Sequence, residues 1–327
     1  MRYSFRLLRP PEVVVLAVAA AALFLGPAWI DIGYLRLIAE ILFVFTMAQM
    51  WNLLAGYVGL VSFGHQAFVG IGAYTLFFVS NSLGLSPFVC VPLAGLGCVL
   101  TAALLSPFFF RLRDAYFSIA MWVFAEVVRI IVSQSAALGS VYGMPLKTAR
   151  QIDRIWFTWG CYWWSVGLAL ASVVVTIVLL RSRVGLGLIA IRENDLAAKS
   201  LGINVWSAKL VAFLISSLGS GMAGAGFYMA SFHVDPGGAF DVNWVVIMLF
   251  IVLLGGLGTV EGPVVGTAVY FILRGFLADT GNWYLIGMGV VAALSVILAP
   301  KGIWGALSHR GIELVRLRRN PMLSQRR

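Results

Sequence analysis

Long apolar segments recur along almost the whole chain, and they constrain its fold more than any other feature. The first runs from Val13 to Ile30 without a charged residue. A helix needs about 20 such residues to cross the hydrocarbon core of a bilayer. The sequence therefore predicts an all-α polytopic integral membrane protein with eight to ten spans. The candidate spans are 12–30, 35–55, 58–80, 88–110, 115–134, 160–180, 208–230, 243–258, 264–279 and 283–299.

The composition supports a membrane protein. Of the 327 residues, 61% are hydrophobic and 11% are charged, whereas roughly a quarter of a soluble protein is charged. So few charged residues cannot cover a surface in water, and lipid must be the solvent. We expect one membrane domain over 1–327, because the longest polar stretches are two loops, near 135–158 and 181–207, and the basic tail 300–327.

The basic residues are distributed unevenly among the predicted loops. If the N-terminus is cytoplasmic and the first span is not cleaved, 17 of the 23 Lys and Arg residues fall on the cytoplasmic side. The positive-inside rule favours this orientation, which also places the C-terminus, the loop 181–207 and the turn 259–263 in the cytoplasm. The net charge of +10 is then explained without nucleic-acid binding.

Motifs for enzymatic chemistry are missing from the sequence. It contains no GxxxxGK[ST] phosphate loop, no HExxH, no GxSxG and no paired Cys/His cluster. We therefore expect no catalytic residue, no metal and no cofactor, and we favour a transport or channel protein over a membrane enzyme.

Two apolar segments, near 56–72 and 255–266, are interrupted by glycines. One interpretation is close packing of helices through small residues. The other is a pair of broken helices whose freed backbone groups line a polar cavity. The second interpretation predicts a translocation pathway along Ser62, Gly64, His65, Gln66, Gly70, Gly256 and Gly258. Alternatively, His65 is simply a buried histidine with one satisfied hydrogen bond.

Glu126 and Arg129 lie three residues apart within the fifth predicted span. This spacing puts them on one face of a helix, and either charge alone is costly in hydrocarbon. We predict an intramembrane ion pair.

The stretch RSRVGLGLIAIRENDLAAKSLGIN, at 181–204, is the longest charged loop between spans. We expect Gly185 and Gly187 to end the incoming helix, and LIAIRENDLAAKSLG to form one short helix that stops at Gly202. A simple turn needs only two to eight residues. The helix therefore either lies on anionic lipid or docks on a protein through the small residues Ala197, Ala198 and Gly202.

Three stretches resemble ABC importer permeases of the branched-chain amino acid class. AIRENDLAAKSLGI is similar to the cytoplasmic loop of that family, while NLLAGYVGLVSFGHQAFVGIGAYT (Asn52 to Thr75) and GGLGTVEGPVVGTAV (Gly255 to Val269) resemble its two Gly-rich signatures. DAYFSIAMWVFAEVVRII resembles the M-type permease rather than its H-type partner. The stretch SAALGSVYGMPL, which begins at Ser135, departs from the family pattern and leaves the substrate open.

The resemblance implies a role for the charged loop and a set of partners. In the family this loop carries a short coupling helix that docks on an ATP-binding subunit. The matching positions are Arg181, Gly185, Ala190, Arg192, Glu193, Ala197, Ala198, Leu201 and Gly202. The implied partners are an H-type second permease, two ABC ATP-binding subunits and an extracytoplasmic substrate-binding protein, assembled in the bacterial inner membrane.

The implied substrate is a branched-chain or other amino acid, or urea or a short amide. The rival function is a self-sufficient secondary transporter or channel. Ion coupling would need acidic or histidine side chains along the spans, and the sequence offers only Glu40, His65 and Glu126.

Overall fold

The apolar segments of the sequence form helices in the computed structural model, which describes residues 26–29, 31–112, 114–277, 287, 289–290 and 302–308. In this part of the chain six helices are long and apolar enough to cross a membrane, and a shorter apolar helix covers Gly262–Phe276. A helix bonds its backbone groups internally, as the bilayer requires. The predicted all-α polytopic class is confirmed.

The described helices are named α1 to α13 in chain order. They are α1 Gly26–Trp29, α2 Ile32–Asn52 with its π-helical continuation Leu53–Val58, α3 Gln66–Leu83, α4 Pro87–Phe109, α5 Asp114–Gln134, α6 Arg154–Arg181, α7 Arg183–Glu193, α8 Asp195–Ser200, α9 Val205–Ser231, α10 Pro236–Ala239, α11 Asn243–Gly255, α12 Gly262–Leu277 and α13 Gly302–Ser308. Two short strands, β1 Met144–Pro145 and β2 His233–Val234, pair antiparallel. Short 3₁₀ turns cover Ala136–Leu138, Ser140–Tyr142 and Lys147–Gln151.

Helix α9 lies at the centre of the bundle and packs against α2, α3, α4 and α6. Its contact with α3 is unusually close. A Cβ on Gly72 of α3 would lie 2.1 Å from the carbonyl oxygen of Gly221, and a Cβ on Gly224 would lie 2.6 Å from that of Val69. Small residues allow backbones to approach in this way, so these glycines are required by packing.

The loops gather at two opposite ends of the bundle. At the first, which we call the loop end, α7 and α8 lie beside 58–61, 110–112 and the start of α9, around a cavity of about 570 Å³. At the other end, Asn81 donates to the carbonyl oxygen of Pro145 (3.0 Å), and β1 pairs with β2. The loops near 111–114 and 181–207, which the charge distribution assigns to one side of the membrane, thus lie at the same end of the bundle, and the side that this end faces stays a prediction.

Eight of the ten predicted spans coincide with described helices. The other two, 12–30 and 283–299, lie outside the described residues apart from 26–29, 287 and 289–290, so the count of ten stays a prediction. The third span, 58–80, was wrong at its start, because α3 begins only at Gln66. The interruption starts at Gly59, whose φ of +81° ends the preceding helix.

The charged loop also differs from the single helix that we expected. It forms two helices, α7 and α8, separated by Asn194, whose backbone is extended (φ −163°) and whose Oδ1 accepts hydrogen bonds from the amides of Leu196 and Ala197. Asn194 therefore caps α8. Gly202 follows the end of α8 with φ +79° and donates to the carbonyl oxygen of Lys199 (2.9 Å). The predicted stop at Gly202 is confirmed.

The prediction that Gly185 and Gly187 end the incoming helix was wrong. Helix α6 ends at Arg181, and both glycines lie inside α7. A Cβ on Gly185 would lie 2.3 Å from the carbonyl oxygen of Leu179. Glycine at this position lets α7 pack directly on the end of α6.

The contact between α3 and α9 makes a stability prediction. We expect Gly72→Ala to destabilise the chain by about 1–3 kcal/mol, the usual cost of an overpacked core. Gly167→Ala in α6 is the matched control, because a Cβ there meets no atom within 4 Å. Thermal unfolding of the two variants in detergent checks this, and equal midpoints would contradict it.

Candidate functional site

The two Gly-rich segments meet at the loop end. A Cβ on Gly56 would lie 2.7 Å from the backbone nitrogen of Gly258, so the two backbones are in direct contact. The buried side chain of Asn52 holds them together. Its Nδ2 donates to the carbonyl oxygen of Thr259 (2.8 Å), and its Oδ1 accepts from the amide of Gly258 (2.9 Å). Both polar atoms of one side chain thus bond the second segment.

Arg192 of α7 joins the charged loop to this junction. Its Nη1 donates to the carbonyl oxygen of Gly56 and lies 2.7 Å from the position that a Cβ on Gly258 would take. The Cα of Arg192 lies 3.6 Å from the corresponding position at Gly59. Because the donor is charged, this hydrogen bond is stronger than one between neutral groups. Arg192 and Asn52 therefore connect three separate stretches of chain at one point.

The other predicted coupling residues divide between the surface and the interior. Arg181 is the last residue of α6. In α7, Gly185 is buried, Ala190 is half-buried, and the last residue, Glu193, is exposed. In α8, Ala198 is only 1% exposed. It therefore packs inside this chain and is not available to a partner, contrary to the expected small-residue surface. Ala197, Leu201 and Gly202 remain exposed.

Exposed apolar side chains mark the outer face of the charged loop. Leu196 is 66% exposed and Leu201 is 77% exposed, on either side of the exposed Ala197. Helix α8 is fixed to the start of α9 by an ion pair between Lys209 and Asp195 (2.7 Å). The loop thus presents leucines outward from a helix that is held to the bundle.

Residues 59–65, which we call the extended segment, run from the loop end into the middle of the bundle. His65 contacts Ser216 and Ser220 of α9, roughly 17 and 23 Å along a helix of about 40 Å. Seven residues cover such a rise only when most of them are extended, here Leu60 to Gly64, since Gly59 is left-handed and His65 is helical. Burial alternates accordingly: Leu60, Ser62 and Gly64 are buried, whereas Gly59, Val61 and Phe63 are exposed.

Side chains of neighbouring helices bond the backbone of the extended segment. Ser118 of α5 donates to the carbonyl oxygen of Val61 (2.5 Å), and Trp51 of α2 donates through Nε1 to that of Ser62 (2.9 Å). The amide of Leu60 donates to the carbonyl oxygen of Leu54 (3.1 Å). These bonds compensate for the missing helical ones at membrane depth.

His65 is held in one orientation by Ser216 and Ser220 of α9. Ser216 Oγ donates to the carbonyl oxygen of Met50 (2.7 Å) and lies 3.1 Å from His65 Nε2. Ser220 Oγ lies 2.8 Å from the same ring nitrogen, so two serines of α9 hold this edge of the imidazole. Among the described residues, the buried Nδ1 of His65 has no partner, and the same holds for Ser62 Oγ and Gln66 Oε1. Such buried polar atoms are typical sites for internal water.

The glycines assigned to a pathway make tight contacts. A Cβ on Gly64 would lie 1.8 Å from the carbonyl oxygen of Met121, and one on Gly70 would lie 2.3 Å from the ring of Phe240. Gly256 and Gly258 have φ values of +134° and +75° and form the turn after α11. The contacts support the packing interpretation for Gly64 and Gly70 and a turn for the other two, and a pathway along them stays a prediction.

Glu126 and Arg129 form an ion pair in α5. Arg129 Nε donates to Glu126 Oε2 at 2.9 Å, and Nη2 bonds Oε1 as well. The described part of the chain does not enclose the pair, since the side chains of Arg129 and Glu126 are 36% and 44% exposed. The pair thus lies on an outer face of the bundle, at the middle of a spanning helix.

Sequence reasoning did not single out Asn52, Asn194, Ser216 or Ser220. Asn52 had a recognisable signal, because it is a polar residue that opens the first Gly-rich stretch. The serines had none, since serine is common in membrane helices as a neutral packing residue.

Comparison with known proteins decides the family. Residues 33–300 match the family described as branched-chain amino acid transport system / permease component. The chain belongs to this permease family. Over 320 residues, covering 86% of this chain and 73% of the relative, it is 28% identical to the high-affinity branched-chain amino acid transport system permease protein LivM of Escherichia coli.

A second relative of the permease chain is LivM of Salmonella typhimurium, which is 27% identical over 281 residues, or 77% of this chain and 65% of the relative. A third is a probable branched-chain amino acid transport permease protein LivM of Methanocaldococcus jannaschii, 23% identical over 166 residues, or 50% of this chain and 48% of the relative. No solved structure matches the chain.

The ion pair of α5 makes a prediction about assembly. We expect Glu126→Ala alone to lower the recovery of assembled complex more than the double variant Glu126→Ala with Arg129→Ala. Before the second permease covers this face, the single variant leaves a lone charge toward lipid, at a cost of about 3 kcal/mol, whereas the double variant leaves none. Quantitative co-purification checks this, and a double variant that assembles as poorly as the single one would refute the energetic role of the pair.

Proposed function

We propose that this chain is a permease subunit of an ATP-driven importer that moves branched-chain or other amino acids across the bacterial inner membrane. The family match and the names of the relatives support an amino acid permease. The observation that carries the mechanism is the contact of Arg192 with Gly56, which links the charged loop to the interior of the bundle.

The proposal includes the partners that the sequence indicates. A second, H-type permease would complete the membrane part, and two ABC ATP-binding subunits would hydrolyse ATP, so this chain itself is no enzyme. An extracytoplasmic binding protein would deliver the substrate. Residues 1–327 would form one permease domain of up to ten spans with both termini in the cytoplasm, so that the loop end faces the ATP-binding subunits.

The coupling route follows the contacts of the charged loop. The exposed Leu196, Ala197 and Leu201 would touch an ATP-binding subunit, because leucines that protrude from a polar loop are typical of a docking surface. A displacement of α8 would reach Arg192, and through it Gly56 and the neighbouring extended segment.

Reconstitution in lipid vesicles tests the function. With the second permease, the ATP-binding subunits and the binding protein present, we expect uptake of L-leucine that requires ATP and all four components. Vesicles that contain the permeases alone should take up nothing. Uptake by the permeases alone, driven by an ion gradient, would establish the secondary transporter instead, and uptake of urea in place of leucine would change the substrate class.

The exposed face of α8 distinguishes docking on a protein from binding to lipid. We expect Ala197→Trp to release the ATP-binding subunits, because a bulky ring prevents close contact, and Lys199→Glu to have little effect, since an exposed ion pair contributes about 0–1 kcal/mol. Co-purification of the ATP-binding subunits measures both. The reverse ranking is the behaviour of a helix on anionic lipid, and it would exclude docking at this face.

A variant of Arg192 distinguishes docking of the ATP-binding subunits from transmission of their movement to the bundle. In Arg192→Ala the outer face of α8 is unchanged, so we expect the ATP-binding subunits to stay bound. Transport per ATP hydrolysed should fall several-fold, because the bond to Gly56 is lost. Arg183→Ala, an exposed arginine at the start of α7, is the matched control. The ratio of uptake to hydrolysis decides the matter, and equal ratios in the two variants would show that Arg192 transmits nothing.

A further inference from the structure

Two kinds of surface run side by side along α5. Spacing by three and four residues places Ala115, Ile119, Trp122, Glu126 and Arg129 on one face, which we call the polar stripe. A neighbouring exposed face carries Tyr116, Val123, Val127 and Ile131, which we call the apolar stripe. Every residue of the two stripes is at least partly exposed, so α5 presents two chemically different surfaces to its surroundings.

Lipid is a suitable neighbour for only one of these surfaces. The apolar stripe fits acyl chains. The polar stripe carries a carboxylate and a guanidinium at the thirteenth and sixteenth positions of a 21-residue spanning helix, near its middle. Charged side chains at that depth are expected to face the interior of an assembly or a water-filled cavity. The ion pair therefore indicates that the polar stripe is covered by something other than lipid.

The extended segment indicates independently that something other than lipid covers this face. Its exposed residues Gly59, Val61 and Phe63 line a groove of about 390 Å³ together with Ala115, Ser118 and Ile119 of α5. Non-helical backbone at membrane depth is tolerated only where protein or water covers it. The groove opens along the same face as the polar stripe, because Ala115 and Ile119 belong to both.

We propose that the polar stripe and the exposed edge of the extended segment form one wall of the water-filled translocation passage, which the second permease closes from the opposite side. The Glu126–Arg129 pair is the contact point on this wall for a zwitterionic amino acid. The inference rests on the proposed function and specifies which surface of the chain performs it.

The charges of the pair match a zwitterion. Glu126 and Arg129 present a carboxylate and a guanidinium side by side, so an α-amino acid laid across them meets both signs with its ammonium and carboxylate groups. The Nε–Nη2 side of the Arg129 guanidinium bonds Glu126, and its Nη1–Nη2 side has the same planar, two-pronged geometry for a substrate carboxylate. A molecule with a single charge leaves one member of the pair unmatched, which favours zwitterions over simple cations and anions.

Cysteine labelling tests the wall. Ile119→Cys and Trp122→Cys probe the polar stripe, and Val123→Cys and Val127→Cys are the controls on the apolar stripe. Each variant is assembled in the full complex in membrane vesicles and treated with a charged, membrane-impermeant thiol reagent. The native Cys90, Cys98 and Cys161 are buried, so the unsubstituted chain gives the background. We expect the polar-stripe cysteines to react roughly tenfold faster or more, since only a thiol in contact with water ionises readily.

Protection experiments test recognition of the zwitterion. With Trp122→Cys, one turn from Glu126, we expect L-leucine to slow labelling at least about twofold, while L-leucinamide and 4-methylpentanoate, which carry one charge each, do not. Equal protection by all three would overturn the contact with the pair. Equal labelling of the two stripes, or no labelling of the polar stripe in an assembled complex, would overturn the wall itself.

These outcomes are separable from failure of the proposed function. Labelling requires an assembled complex but neither ATP hydrolysis nor net uptake. A complex that labels as expected but imports without ATP-binding subunits would refute the ATP-driven importer and leave the wall in place.

Discussion

The bilayer contains no water to bond an open backbone, and the rest of this structure depends on how the chain meets that constraint. Along most spans it does so with uninterrupted helices. At residues 59–65 side chains of neighbouring helices supply the hydrogen bonds instead. Ser118 donates to the carbonyl oxygen of Val61, and Trp51 donates to that of Ser62. A non-helical segment is thus tolerated within the membrane because α2, α5 and α9 contact it.

The connection between the charged loop and the interior uses few atoms. Asn52 bonds both the amide of Gly258 and the carbonyl of Thr259, and Arg192 bonds the carbonyl of Gly56. The absence of a side chain at Gly258 lets the guanidinium reach the backbone, and its absence at Gly56 lets Asn52 and Gly258 approach. The sequence suggested that these glycines break helices around a polar cavity. In the structure they also form the surface that Arg192 contacts.

Sequence patterns predicted where the helices lie better than they predicted which residues of those helices are exposed. Length and hydropathy located the spans, and the three-residue spacing of Glu126 and Arg129 predicted their pairing. The same hydropathy treated 58–80 as one span, because apolar content is similar in a helix and in an extended segment, and only the positive φ of Gly59 separates them. The sequence could not predict which small residues of the charged loop are exposed. Ala197 and Ala198 are chemically identical, and only the contacts of α8 with the bundle decide which of them is buried.

The groove between the extended segment and α5 has two sides of different stiffness. Helix α5 changes length only by breaking hydrogen bonds between successive turns. Residues 59–65 have few such bonds, and rotation about a handful of backbone dihedral angles is enough to move Val61 or Phe63. On the proposed coupling route, a displacement of Arg192 would therefore move the extended segment first, while α5 would keep its shape.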